Sequence, residues 1–134
     1  MDTELIALTW RMLGNRQARF IADFYDLFFA RFPRYRALFP HEFGQTDLDK
    51  MAQRVALLAE LADDRADIAP HLRRLAAAHR PLALEAADFD NFRSVFVEAL
   101  ADALGPAWSA AAARAWEQAF DEVLIPAMAE PHAA

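Results

Sequence analysis

Apolar residues recur along this chain at spacings of three and four, the period of a helix with one buried face. No run alternates apolar and polar positions over the length of a strand. The pattern predicts a first helix over residues 3–14. Thr3 would cap it, and Leu5, Leu8 and Met12, with Trp10, are its apolar positions. Gly14-Asn15 ends that helix or bends it into a second, over residues 16–31. The second carries Phe20, Ile21, Phe24, Tyr25, Leu27 and Phe28, continued by Phe32. An arc that wide implies burial against several partners at once. Pro33 suits the first position of a short turn over residues 34–39, closed by Pro40. Residues 41–46 read as a loop with Gly44 as its flexible point.

A third long helix is predicted over residues 46–62. Leu48, Met51, Val55, Leu58 and Ala62 form one stripe, with Asp49, Arg54 and Glu60 off it. A polar corner over residues 63–67 follows, and Pro70 opens a shorter helix that ends near Arg80, before Pro81. Its stripe is Ile68, Leu72, Leu75 and His79. Asp88 reads as the cap of a helix carrying Phe89, Phe92, Val95, Phe96 and Leu100, stopped by Leu104-Gly105-Pro106. The last helix begins at Ala107 or Ser109 and runs to Ile125. It buries Ala112, Trp116, Phe120 and Val123, and residues 126–134 fray beyond it. Six or seven helices and no strand make an all-α chain. An orthogonal arrangement and an up-down bundle both satisfy this pattern, but the short pieces near Pro33 and Pro70 disfavour a bundle of equal helices.

Composition narrows the function. The 134 residues are one domain's worth, and 56% are hydrophobic, enough for a packed core. There is no cysteine, which excludes disulfides, thiolate metal sites and cysteine nucleophiles. A net charge of −6 with scattered basic residues argues against nucleic acid as a partner. No apolar stretch reaches the ~20 residues that span a bilayer. The acidic start, Met1-Asp2-Thr3-Glu4, lacks the features of a signal peptide, so a cytoplasmic location is expected. Of the 14 basic residues 13 are arginine, which with the abundant alanine suggests a GC-rich bacterial genome.

The chemistry rests on histidine. Of His41, His71, His79 and His132, no pair has the spacing of four that a helical metal site uses. His132 falls in the tail, His41 in a loop, and His71 at the edge of an apolar face. His79 alone continues an apolar stripe, with small Ala76 one turn away. Position by itself suits a buried histidine bonded to a backbone carbonyl.

Order and spacing add more. Phe24-Tyr25 is followed by Arg34-Tyr35-Arg36-Ala37-Leu38-Phe39-Pro40, then Lys50-Met51, then Pro70, Leu72, Leu75 and His79, then Leu104-Gly105, Trp108 and Ala115-Trp116. This ordered set resembles the bacterial single-domain globins and the globin half of flavohaemoglobins, from about Leu5 to Val123. The resemblance implies a globin fold of six to eight helices, a single domain over residues 1–134, and a haem b between the third and fourth long helices. It implies that His79 is the axial iron ligand, that Phe39 stacks on the porphyrin, and that Tyr25 hydrogen-bonds the bound ligand. Met51, Val55 and Leu75 would line the haem. The family's distal position on the third helix falls on Asp47, where relatives often carry glutamine. A carboxylate would repel bound dioxygen, so Asp47 is expected to turn away and Leu48 or Gln45 to approach.

What the resemblance implies for function is reversible binding of dioxygen, carbon monoxide or nitric oxide. Rivals are a nitric oxide dioxygenase or weak peroxidase served by an external reductase, a gas or redox sensor, and a haem-free scaffold. Phe89 stands where flavohaemoglobins hold a tyrosine that makes the proximal histidine electron-donating, which weakens the dioxygenase reading. Glu117 or Glu122 could reach the proximal side, and His41 could supply a sixth ligand. Oligomeric state is not readable from the sequence.

Overall fold

The computed structural model describes residues 2–39 and 42–129. Among them every regular element is helical. Asp2, not Thr3, caps α1 (Thr3–Met12): its Oδ1 accepts the Leu5 N–H at 3.0 Å. The buried face of α1 is Ile6, Thr9 and Trp10, continued by Leu13, whereas Leu8 and Met12 are 52% and 40% exposed. The expected face is therefore turned. Ile6, Trp10 and Leu13 recur at helical spacing and include the largest side chain available, so their burial outweighs that of Leu8 and Met12.

Gly14, at φ +54°, breaks the helix, and a tight turn (Gly14–Arg16) leads into α2 (Gln17–Arg31). The turn at Pro33–Leu38 follows as the pattern predicts. Helix α3 (Gln45–Glu60) starts from Gly44, whose N–H donates to Asp47 Oδ2 at 3.0 Å. Helix α4 (Arg65–His79) starts earlier than Pro70 suggested. Asp64 Oδ1 accepts the Asp67 N–H at 3.0 Å, so the cap recruits residues read as a polar corner. Pro70 then lies inside the helix and deletes one ladder donor.

Helix α5 (Ala86–Leu104) is likewise capped earlier, by Glu85. Asp88 sits in its first turn, with Oδ2 accepting the Glu85 N–H at 2.9 Å. Ser109 caps α6 (Ala110–Ala119). Pro126 does not end the last helical stretch. A wide π-turn (Phe120–Leu124) intervenes, in which the Ile125 N–H reaches back to the Phe120 carbonyl, and α7 (Ile125–Ala129) continues. The ladder shifts just before the proline that lacks an N–H. Residues 130–134 lie outside the described residues.

Helix α2 crosses α5 as the central pair, and α3 packs on α2 and α1; α1 also meets α6, and α4 rests on α7. Aromatic rings fill the α2–α5 crossing. Phe24 meets Phe92 at 5.0 Å and Phe96 at 5.2 Å, and Phe20 meets Phe96 at 5.4 Å, all edge-on. Such edge-to-face pairs are worth about 0.5–1.5 kcal/mol each beyond their burial. Ion pairs Arg31–Glu98 and Arg11–Glu60 tie the outer surfaces of α2 to α5 and of α1 to α3. No helix among the described residues is long and apolar enough to cross a membrane.

One polar link lies inside this core. Thr9 Oγ1 is 2.7 Å from the Leu5 carbonyl, to which it donates, and accepts the Trp116 indole N–H at 2.8 Å, joining α1 to α6. Thr9→Val keeps the shape and strands a buried indole donor. It should lower the unfolding free energy by about 1–3 kcal/mol. In urea denaturation, Thr9→Val and Trp116→Phe together should cost less than the sum of the two single changes, because both break the same bond. An unshifted midpoint for Thr9→Val would show that the bond carries no stability.

Candidate functional site

A cavity of about 400 Å³ opens between α3 and α4 and reaches inward to α2 and α5. Its walls are mostly leucine, alanine and aromatic side chains. All seven α-helices among the described residues contribute to its lining, and α4 packs on α7. The size and apolar character suit a flat hydrophobic group of cofactor dimensions. The sequence-predicted residues Tyr25, Phe39, Met51, Val55, Leu75 and His79 all line it.

Leu48 does not, and neither does Gln45. One or the other is expected from the sequence to approach the cavity in place of Asp47, and the structure places neither there. Leu48 packs half-buried against the core cluster. Gln45 is exposed, its Nε2 donating to Asp49 Oδ1 at 2.8 Å along the helix surface. Asp47 lines the cavity, with one carboxylate oxygen accepting the Gly44 N–H. The cause is the phase of α3. The inward positions are Asp47, Met51, Val55 and Leu58, with Lys50 and Arg54 beside them, so Leu48 lies one residue off that line.

His79 is half-buried at the last position of α4. Its Nδ1 lies 2.8 Å from the Leu75 carbonyl, one turn back. A carbonyl only accepts, so Nδ1 carries the proton and Nε2 keeps its lone pair. Burial pushes the imidazole below its ordinary pKa, the Leu75 carbonyl opposes this, and the Arg54 cation adds to the lowering. His79 is therefore a neutral imidazole with Nε2 as a ready metal donor.

Tyr25 on α2 is 8% exposed. Burial raises its hydroxyl well above the ordinary phenol range; Arg54 pulls it down and Asp47 pushes it up. The group stays protonated and is a donor at any working pH. No hydrogen-bond partner for this hydroxyl is found among the described residues, so the donor is free for a guest in the cavity. Arg54 is thus a charge felt by both Tyr25 and His79, and with Lys50 it places exposed cations on the α3 rim.

A second polar set borders the cavity. The Tyr35 hydroxyl donates to Asp88 Oδ1 at 2.6 Å and accepts from Asn91 Nδ2 at 3.0 Å; Arg34 bonds both Tyr35 and Asp88. The Tyr35 ring stacks on Phe28 at 4.7 Å. These bonds use the Tyr35 hydroxyl as both donor and acceptor, so the cluster ties the Pro33 turn to the start of α5. Phe89 also lines the cavity, whereas Glu117 and Glu122 do not. His41 lies outside the described residues.

Sequence reasoning missed Lys50 and Arg54, which sit at the edge of the apolar stripe, where the i+3 spacing from Asp47 and Met51 signals proximity. It also missed Phe43, whose loop position carries no periodic signal. Among the described residues no cluster of histidine, cysteine and carboxylates could hold a metal ion.

Comparison with known proteins agrees with this geometry. The family described as Globin matches residues 22–127. Over 131 residues the chain is 29% identical to Globin CTT-E/E′ of Chironomus thummi thummi, covering 90% of this chain and 84% of that one.

The lowered pKa of His79 has a consequence for stability. The unfolded chain takes up the proton near the ordinary histidine value of 6.5, before the folded one does. Stability contributed by neutral His79 is therefore present above about pH 6.5 and is lost as pH falls from there toward the depressed folded value. Urea midpoints of the chain without bound cofactor should fall over this window, and His79→Leu should reduce the fall. An identical pH profile in the variant would remove His79 as its source.

Proposed function

We propose that this chain, which belongs to the globin family, holds a haem in the cavity through His79 and reversibly binds a diatomic gas there. The observation that carries the reading is His79 itself: a neutral imidazole in an apolar cavity, its Nδ1–H on the Leu75 carbonyl and its Nε2 lone pair uncommitted. When bound, a haem would supply an iron that His79 could ligate and that could take up a diatomic gas. Leu75 fixes the imidazole tautomer and its rotation, which keeps the donor atom in place between events. Met51, Val55 and Phe39 offer apolar surface that excludes water from the iron. Lys50 and Arg54 on the rim suit the acidic edge of a haem b.

Tyr25 is the group we assign to the gas. Tyr25 is buried and protonated, and its hydroxyl has no hydrogen-bond partner among the described residues, so donating to a bound gas costs no bond seen there. One Asp47 carboxylate oxygen already accepts the Gly44 N–H. Binding is favoured over oxidative turnover because the His79 Nδ1–H rests on a neutral carbonyl. Phe89 offers no hydroxyl to relay charge, and neither carboxylate proposed from the last helix lines the cavity. A carboxylate partner would instead make the imidazole a stronger electron donor.

Visible spectra after adding haemin test the reading. Wild type should bind haemin stoichiometrically and show the ferrous and carbonyl bands of a histidine-ligated haem, and His79→Ala should lose or alter them. No stoichiometric binding by folded wild type would reject it. Tyr25→Phe should speed dioxygen release by stopped flow. A hydrogen bond to a charged acceptor is worth about 1.5–3 kcal/mol, a factor of roughly ten to a hundred and fifty. An unchanged rate would remove Tyr25 from the role.

A further inference from the structure

We propose that Phe43 is a positioning residue for Tyr25, holding the phenol so that its hydroxyl is presented to a gas in the cavity. The proposal rests on the reading of Tyr25 as the gas-facing donor. A phenol with no hydrogen bond among the described residues is oriented only by what packs on its ring. Four rings do so: Phe43 at 4.8 Å, Phe24 at 5.0 Å, Phe29 at 5.3 Å and Phe39 at 6.3 Å. Phe24 and Phe29 stand on α2 with Tyr25 and move with it. Only Phe39 and Phe43 come from outside that helix, and Phe43 is the nearer.

Phe43 is also the ring on which the group closes. It meets Phe39 at 4.8 Å and Phe29 at 5.0 Å, both edge-on, besides Tyr25. Phe39 lines the cavity and would face the haem directly, whereas Phe43 does not line it. Phe43 can therefore reach a bound gas only through its neighbours. Its own backbone is anchored by the next residue. The Gly44 N–H donates to Asp47 Oδ2 at 3.0 Å, and the Gly44 carbonyl accepts the Asp47 and Leu48 N–H groups at 3.1 and 3.3 Å. The first turn of α3 thus carries Phe43 against α2, and Asp47, in the cavity wall, contributes through this cap. A half-buried loop ring of this kind can be removed without emptying the main core.

The experiment is a double-mutant cycle on the haem-loaded protein. Dioxygen release is measured by stopped flow, and the Fe–CO stretching band by resonance Raman. Phe43→Ala should speed release about three- to tenfold and broaden the band, as the phenol samples several orientations. In a Tyr25→Phe background the same change should have no further effect on either readout. Phe43→Tyr, which keeps the ring, should restore wild-type values, and Phe43→Leu, which keeps the bulk, should act like alanine but more weakly if alanine impairs folding. Equal acceleration in both backgrounds would overturn the proposal, since Phe43 would then act on the pocket at large. So would a wild-type rate and band for Phe43→Ala while Tyr25→Phe remains fast; the donor reading would survive that result. If Tyr25→Phe itself changes nothing, the donor reading fails and this proposal falls with it.

Discussion

The crossing of α2 and α5 is the constraint on which the rest of the molecule depends. Phe20, Phe24 and Phe28 on one helix interlock with Phe92 and Phe96 on the other, and burying five rings at one crossing fixes both the separation and the rotation of α2. Tyr25 is one residue beyond Phe24, about a hundred degrees further round the helix. Once Phe24 is buried against α5, Tyr25 has to face the other way, toward α3 and the cavity. The direction of the Tyr25 hydroxyl is thus a by-product of how a purely apolar contact is packed.

The cavity gives that placement a largely apolar setting. In an apolar enclosure each of the two central polar groups is held in its neutral form, and for each this is the useful form. Tyr25 remains a donor and His79 a lone-pair base. The Leu75 carbonyl, one turn back on α4, then selects which imidazole nitrogen carries the proton. Charges are kept to the rim or fully paired: Lys50 and Arg54 are exposed, while Asp88 is held by Tyr35, Arg34 and the Glu85 N–H. Paired in this way, a carboxylate can border the cavity without holding an unbalanced charge there.

Much of this was legible before the coordinates. Periodicity of three and four predicted the main helices, and the stripe through Ile68, Leu72, Leu75 and His79 pointed to a histidine that lines the cavity. Where reading along the chain failed, a local competition was decided by groups with weak patterns. Asp64 outcompeted Pro70 as the start of α4, because a side-chain cap satisfies a backbone N–H that the helix would otherwise leave open, and one missing donor at Pro70 is tolerable. Leu48 was misplaced because it shares an apolar character with Met51 and Val55, while the true inward line begins at Asp47. Binary patterning reads Asp47 as outward-facing. Phe43 sits in a loop, where no period exists to assign it a face.

The sequence by itself determined the all-helical class, the apolar helix faces and the short list of polar residues able to do chemistry. These follow from local periodicity and from the few residue types with suitable donors. Only the tertiary structure decided the phase of α3 and the meeting of Phe43 with Tyr25. Each of these depends on how a helix is rotated against partners distant in sequence. Such rotation is set by the summed packing of many side chains, a quantity that no single stretch of the chain contains.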